Sequence, residues 1–421
     1  MKQYPLLENR AAKAFFGLYL TAMLFLSRDT LFSSCIIGFG KSQLYMILLI
    51  ALLGVGFLIR NGREISRILL DRRMAAMAGS AAVLLIPMLL KQDWQLMYFS
   101  ILLCLLFAVF LTYFTTSQTV ARHYVVILCG LGLYSIIATY GLRELAQAGR
   151  MHPEVFYNSS QWDFYNFGFT YAVTWEYWNR NFGIFREPGV YQFFVILAVY
   201  LNNYQVNWDK NWKLWTCNVI LAVTMVTTFA IGGYAELGLF VLFLYFDKKY
   251  YREKWGKILG ISAVVFLAAA VAYFFYYMTR PDFGYSVFYE FYDMFLRVFT
   301  KSESSTDRMD AIVTNIRFFT GNPLLGNTIA NVLHGTNNNT SSTLVLYAIV
   351  GIAGGTLHIA SWVALAWRRE RNLLGNLILL LILFMSFNTQ NLTANVFFWL
   401  FPMMALTERG LPLIKLSAKK E

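Results

Sequence analysis

The chain predicts an all-α polytopic membrane protein, and three observations carry that expectation. Of its 421 residues, 58% are hydrophobic and only 14% charged, apolar runs recur from end to end, and basic residues concentrate in alternate connections. Apolar runs of that kind, separated by loops biased in Lys and Arg, are the signature of helices crossing a bilayer.

Taken in order, helices are expected at residues 15–25, 44–58, 74–90, 96–113, 124–140, 190–201, 214–231, 234–245, 258–277, 344–367, 374–387 and 396–406, about twelve in all. Several of these cores fall short of the ~20 residues that a perpendicular span needs. Flanking aromatics must complete them, or 214–245 is one broken span, which lowers the count to eleven or ten. Lys2, Arg10 and Lys13 precede a first apolar stretch that has no small-residue cleavage site, so that stretch reads as a span and not as a removable signal. The organisation that follows is N-terminal helices over 1–140, a first large outer loop at 141–187, central helices over 188–277, a second large outer loop at 278–342, and C-terminal helices with a tail over 343–421.

With both termini placed inside, the inner segments hold 23 of the 35 basic residues, as short cytoplasmic loops should. The same loops, set against an anionic leaflet, account for the net charge of +12, so nucleic acid is not needed as a partner. The outer cations are lysines only at Lys41, Lys91 and Lys301. The rest are Arg28, Arg143, Arg150, Arg180, Arg186, Arg280, Arg297, Arg308 and Arg317. Guanidinium groups present a planar fork that matches phosphate oxygens, which suits an anionic, phosphorylated ligand; the bland alternative is snorkelling to lipid phosphates or pairing with nearby acids.

The most informative stretch is Arg180 to Gly189, where Arg180, Arg186 and Glu187 stand at the mouth of an apolar run that opens with Pro188. Charge at that place is costly and so points to function. The first outer loop also holds Trp162, Phe164, Tyr165, Phe167, Phe169, Tyr171, Trp175, Tyr177 and Trp178, either an interfacial belt or a platform for stacking sugar rings. In the second, the stretch from Thr306 through Asp310 and Ile316 opens a helix, on which Arg308 and Arg317 lie about 180 degrees apart. A polar, turn-rich approach follows, with Asn322-Pro323, Gly326-Asn327, His334 and Asn338. His334 is a general base, a hydrogen-bonding group or a plain loop histidine. Gly351, Gly354 and Gly355 fall inside the expected 344–367 span and permit close helix packing.

Absent signals narrow the class. Cys35, Cys104, Cys129 and Cys217 are scattered, suggesting neither a metal cluster nor a disulfide framework. There is no phosphate-binding Gly-rich loop, zinc motif or nucleophile elbow, which argues against a nucleotide-driven enzyme.

The order of spans, the outer Arg-x-x-Gly-x-Phe-x-Glu-Pro-Gly segment of 180–189, the Asn-Pro-Leu-x-Gly of 322–326 and the Gly-x-x-Gly of 351–354 together resemble the O-antigen polymerase and ligase superfamily. The resemblance covers roughly 180–354 with specificity and the rest only as hydropathy. It implies a GT-C-like glycosyltransferase that takes glycans from undecaprenyl pyrophosphate at the outer face of the bacterial cytoplasmic membrane. Carrier-linked oligosaccharides would be donor and acceptor, membrane lipids and a chain-length regulator protein the partners, and no cofactor would be required. On this likeness Arg186 and Arg308 are the expected diphosphate contacts, with Arg180, Arg143, Arg297 and Arg317 secondary, and His334 and Asn338 near the substrate. Glu187 either accepts the acceptor hydroxyl's proton or pairs with an arginine and caps the helix that starts at Pro188. The ligase branch has a His followed by Asn, Ser or Gln and, after nine intervening residues, Gly-x-x-Gly. Here Thr340-Ser341 stand at that place, and Ala230 to Gly233 replace the branch's Ser-Arg element. Both departures favour a repeat-unit polymerase over a ligase, with a flippase or other transporter and a non-enzymatic scaffold as further alternatives.

Overall fold

The computed structural model describes residues 10–61, 71–158, 161–175, 179–248, 303–335, 341–388 and 390–409. The expected helix at 258–277, together with Arg297 and Asn338, lies outside the described residues.

Described in chain order are α1 (Arg10–Leu26), α2 (Phe39–Asn61), α3 (Arg72–Lys91), α4 (Leu96–Leu111) and α5 (Ser117–Gln147). Three short strands follow, β1 (Glu154–Tyr157), β2 (Asp163–Asn166) and β3 (Tyr171–Val173). The rest are α6 (Pro188–Tyr204), α7 (Asn211–Thr227), α8 (Ile231–Asp247), α9 (Glu303–Gly321), α10 (Ile329–His334), α11 (Ser342–Ala366), α12 (Leu373–Asn388) and α13 (Val396–Arg409). The chain is mostly helical, and by length and composition α2, α3, α5 and α11 are long and apolar enough to cross a membrane, with α4, α12 and α13 shorter but apolar. α6 is the central helix: nearly all its residues are buried, as expected for a helix that is apolar all round. Pro188 at its first position removes an amide that would have lacked a partner.

Residues 214–245 form two helices, not one broken span. The Tyr234 hydroxyl donates to the Val226 carbonyl across a turn of three residues, so α7 and α8 are antiparallel neighbours.

The fold is mostly helical, as expected, and carries one small sheet that the sequence reading did not include. β1, β2 and β3 make an antiparallel sheet with Phe156 opposite Phe164 and Phe164 opposite Val173. Its rings pack inward: Phe164 lies 5.7 Å from Phe156 and 5.2 Å from Phe182, while Trp162 stands 6.0 Å from Phe182. The aromatic run is therefore mainly a miniature core rather than a belt, although Phe169 and Trp175 remain exposed.

α11 differs from the expected single span. The Thr343 hydroxyl lies 3.2 Å from His358 Nε2, fifteen residues on, where a straight helix would hold those levels ~22 Å apart. A Cβ built on Gly355 would fall 2.3 Å from the Tyr347 ring, eight residues earlier. The element is a hairpin of two arms, 342–350 and 352–366, folded about Gly351, whose φ of 72° and ψ of −163° suit glycine almost alone. Gly354 and Gly355 do permit close packing, but between the arms of one hairpin.

Contacts among the described residues gather the connections at two ends. At one end Arg73 donates to the Thr112 carbonyl, Arg122 to the Asn207 carbonyl and Arg368 to the Tyr204 carbonyl, and Arg371 pairs with Asp247 at 2.8 Å. The other end, marked by Glu187, carries the sheet, the hairpin tip and the residues described next.

Candidate functional site

A strap from Asn179 to Glu187 runs across this second end into α6. Its local order follows from its sequence. Asn181 accepts the Gly183 amide through Oδ1 at 2.9 Å and donates to Ser135 and Thr227 hydroxyls at 2.9 and 3.0 Å. Gly183 turns with φ 56° against the Tyr191 ring, 2.7 Å from where a Cβ would sit, so glycine is required there. Phe185 then buries its ring 4.2 Å from that of Phe194 and forms a bridge with Thr30. With Phe185 anchored, the next residue emerges.

That residue is Arg186. Its backbone amide donates to the Asp29 carbonyl at 3.1 Å, and its Nε lies 3.4 Å from Asp29 Oδ1. The Arg186 side chain is 39% exposed while that of Asp29 is 4% exposed. Asn395 holds the other Asp29 oxygen at 2.9 Å. Asp29 thus pairs with the guanidinium through charge rather than through a hydrogen bond to Nε, and among the described residues the two terminal nitrogens of Arg186 have no acceptor. Arg28, half-buried and 5.2 Å above the Phe39 ring, is electrostatically coupled to both Asp29 and Arg186. Burial lowers the pKa of the Arg28 guanidinium, with Asp29 opposing and the Arg186 cation adding to the effect. Two cations over one buried carboxylate leave local positive charge and a free fork of donors, an arrangement suited to an anion.

Glu187 occupies the N-cap position of α6 but makes no side-chain cap bond. Its Oε2 accepts from Gln390 Nε2 at 3.0 Å. The expected pairing with an arginine does not form among the described residues: Arg186 turns to Asp29. Below this level, Gln192 of α6 donates to the buried carboxylate of Glu236 in α8 at 2.8 Å.

The other sequence candidates separate. Arg143 is 1% exposed and donates to Asn179 Oδ1 at 2.5 Å and to Glu144 at 3.1 Å, a strut under the strap's beginning. Arg180 donates to the Phe229 carbonyl at 2.6 Å, where Phe229 adopts φ 48° in the α7–α8 turn. Both guanidinium groups donate to oxygens of the protein itself. Arg317 on α9 and His334 at the end of α10 are exposed, and neither touches the Arg186 group among the described residues. Arg308 lies on α9, whose start at Glu303 precedes the expected cap at Thr306.

Sequence reasoning missed Asp29, Asn395, Gln390 and Glu236. Asp29 had a signal, an acid at the end of the first apolar run, and Glu236 another, an acid inside one. Asn395 and Gln390 had none. Comparison with known protein families, characterised proteins and solved structures found no match for this chain.

Proposed function

We propose that the protein is a membrane glycosyltransferase, a repeat-unit polymerase that joins undecaprenyl-pyrophosphate-linked oligosaccharides for a surface polysaccharide. The observation that carries this reading is the half-exposed Arg186 fork braced by buried Asp29 beside Arg28. In the reaction, a hydroxyl of the acceptor sugar attacks the donor's anomeric carbon and the bond to the pyrophosphate oxygen breaks. Negative charge develops on the leaving pyrophosphate, and fixed guanidinium groups stabilise it there. Glu187, whose Oε1 is not the oxygen bound by Gln390, accepts the hydroxyl proton. Arg308 supplies a further cation from α9. On this reading the basic end opposite Glu187 faces the cytoplasm, with both termini on that side, and the Arg186 group works at the outer face of the cytoplasmic membrane.

The test is reconstitution in liposomes with a carrier-linked repeat unit as sole substrate, resolving products by size. A ladder spaced by one repeat is expected, falling by ~10²–10³-fold in Arg186→Ala at equal protein level, as for other lost charge-stabilising donors. An undiminished ladder in both Arg186→Ala and Arg308→Ala would remove the diphosphate role. One observation favours a second reading, transport: discontinuous helices are characteristic of substrate sites in transporters, and α11 is broken at Gly351. Movement of unjoined glycan between liposome faces would establish that reading instead.

A further inference from the structure

The break in α11 is filled. The loop 322–327 lays its backbone into it: the Ile352 amide donates to the Pro323 carbonyl at 2.8 Å and the Asn327 amide to the Ala348 carbonyl at 2.6 Å. A helix interrupted in this way strands carbonyls that the lost turn would have engaged. Lys91, the last residue of α3, addresses them. Its ammonium donates to the Ile349 carbonyl at 2.5 Å, to the Asn327 carbonyl at 2.8 Å and to the Tyr98 hydroxyl at 2.8 Å, so all three of its protons have acceptors. The Tyr98 hydroxyl itself donates to the Ile349 carbonyl at 3.1 Å. Two residues beyond Lys91, Asp93 accepts the Ile329 amide at 2.7 Å, anchoring the start of α10. Asn327 in turn donates from Nδ2 to the Phe318 carbonyl of α9 at 2.8 Å.

We propose that Lys91 is a tethered cation in an oxygen-lined site, and that its occupancy latches the second loop onto the hairpin tip and so sets the position of α9. A monovalent cation among two carbonyl oxygens and a hydroxyl is the arrangement that stabilises broken helices elsewhere; here the chain carries its own ammonium. Lys91 is thus a positioning residue for the helix that bears Arg308.

Hydrogen–deuterium exchange of the full purified chain in detergent tests it. In Lys91→Met, peptides covering 322–327 and 348–355 should exchange at least ~10-fold faster, with α6 unchanged, because the apolar tip keeps the volume and loses the three bonds. In Lys91→Ala, millimolar n-propylammonium, which replaces the missing atoms and charge, should restore protection where n-propanol does not. Wild-type protection in Lys91→Met, or equal protection with amine and alcohol in Lys91→Ala, overturns the proposal. Should Lys91→Met fail to fold, the amine comparison in Lys91→Ala decides alone, a gain upholding the latch and no gain refuting it.

Discussion

Replacing Gly351 by alanine should be among the most destabilising single-methyl additions this chain can receive, and the structure lets the cost be divided. The backbone at φ 72°, ψ −163° lies in a region open essentially to glycine, which costs about 1–3 kcal/mol for any other residue. The added Cβ would sit 2.3 Å from the Leu324 carbonyl oxygen and 2.6 Å from its carbon, backbone atoms that cannot rotate away. The loop must therefore withdraw, and two backbone hydrogen bonds, Ile352 to Pro323 and Asn327 to Ala348, stretch or break at about 1 kcal/mol each. The sum is about 3–5 kcal/mol, a large part of a typical folding free energy. Gly38→Ala is the control, since Gly38 has φ 86° but nothing within 4 Å of a Cβ, and it should cost only ~1 kcal/mol of conformational strain. Thermal unfolding of both variants in one detergent, followed by tryptophan fluorescence, makes the comparison. If Gly351→Ala melts no lower than Gly38→Ala, the loop does not occupy the break and the hairpin argument fails.

Two further outcomes follow from the Glu187 end. Asp29→Asn keeps the shape but removes the charge beneath Arg186, so product formation should fall ~10-fold or more at normal expression while the cation is no longer aimed; unchanged turnover would show that Asp29 does not orient it. Arg143→Met should lower stability by about 2–3 kcal/mol through the orphaned Asn179 Oδ1, with substrate KM unaffected in the folded fraction; a raised KM would place Arg143 in the substrate site.

How far the sequence was legible depended on the range of the interaction. Apolar runs such as 96–113 became helices because burial and backbone satisfaction both act within one segment. The strands were also locally written, in alternation around Phe164 and a turn at Gly168, whose amide is held by Asn166; aromatic density drew attention from that period. The hairpin was not legible, because both arms are apolar and a folded pair has the same hydropathy as one rod; contacts between the arms, Thr343 with His358 and Gly355 with Tyr347, distinguish them. Arg186 and Glu187 stood out because charge beside Pro188 at an apolar mouth is unusual. Their partners did not, since Asp29 and Gln390 come from opposite ends of the chain and no local pattern records that meeting.

The connection between α12 and α13 joins the two features that make this end unusual. Its Gln390 donates to Glu187, while the Gln390 carbonyl accepts the Ser342 hydroxyl at 2.6 Å at the hairpin's foot; Asn388 Oδ1 accepts the Ser341 hydroxyl at 2.8 Å, and Asn395 braces Asp29. Gln390→Glu probes the junction because it changes one donor into an acceptor at 3.0 Å from Glu187. Two carboxyls at that distance repel when both are ionised and share one proton, so the upper of the variant pair's two titration steps is raised. Stability in the variant is therefore present below the ordinary carboxylate pKa and lost as pH rises through the raised value. Activity separates the roles of Glu187. A purely structural Glu187 predicts a variant most active at acid pH, where the pair is bridged. A Glu187 that accepts the hydroxyl proton predicts loss at acid pH as well, because the shared proton blocks it, and a pH–rate profile of the folded variant distinguishes the two.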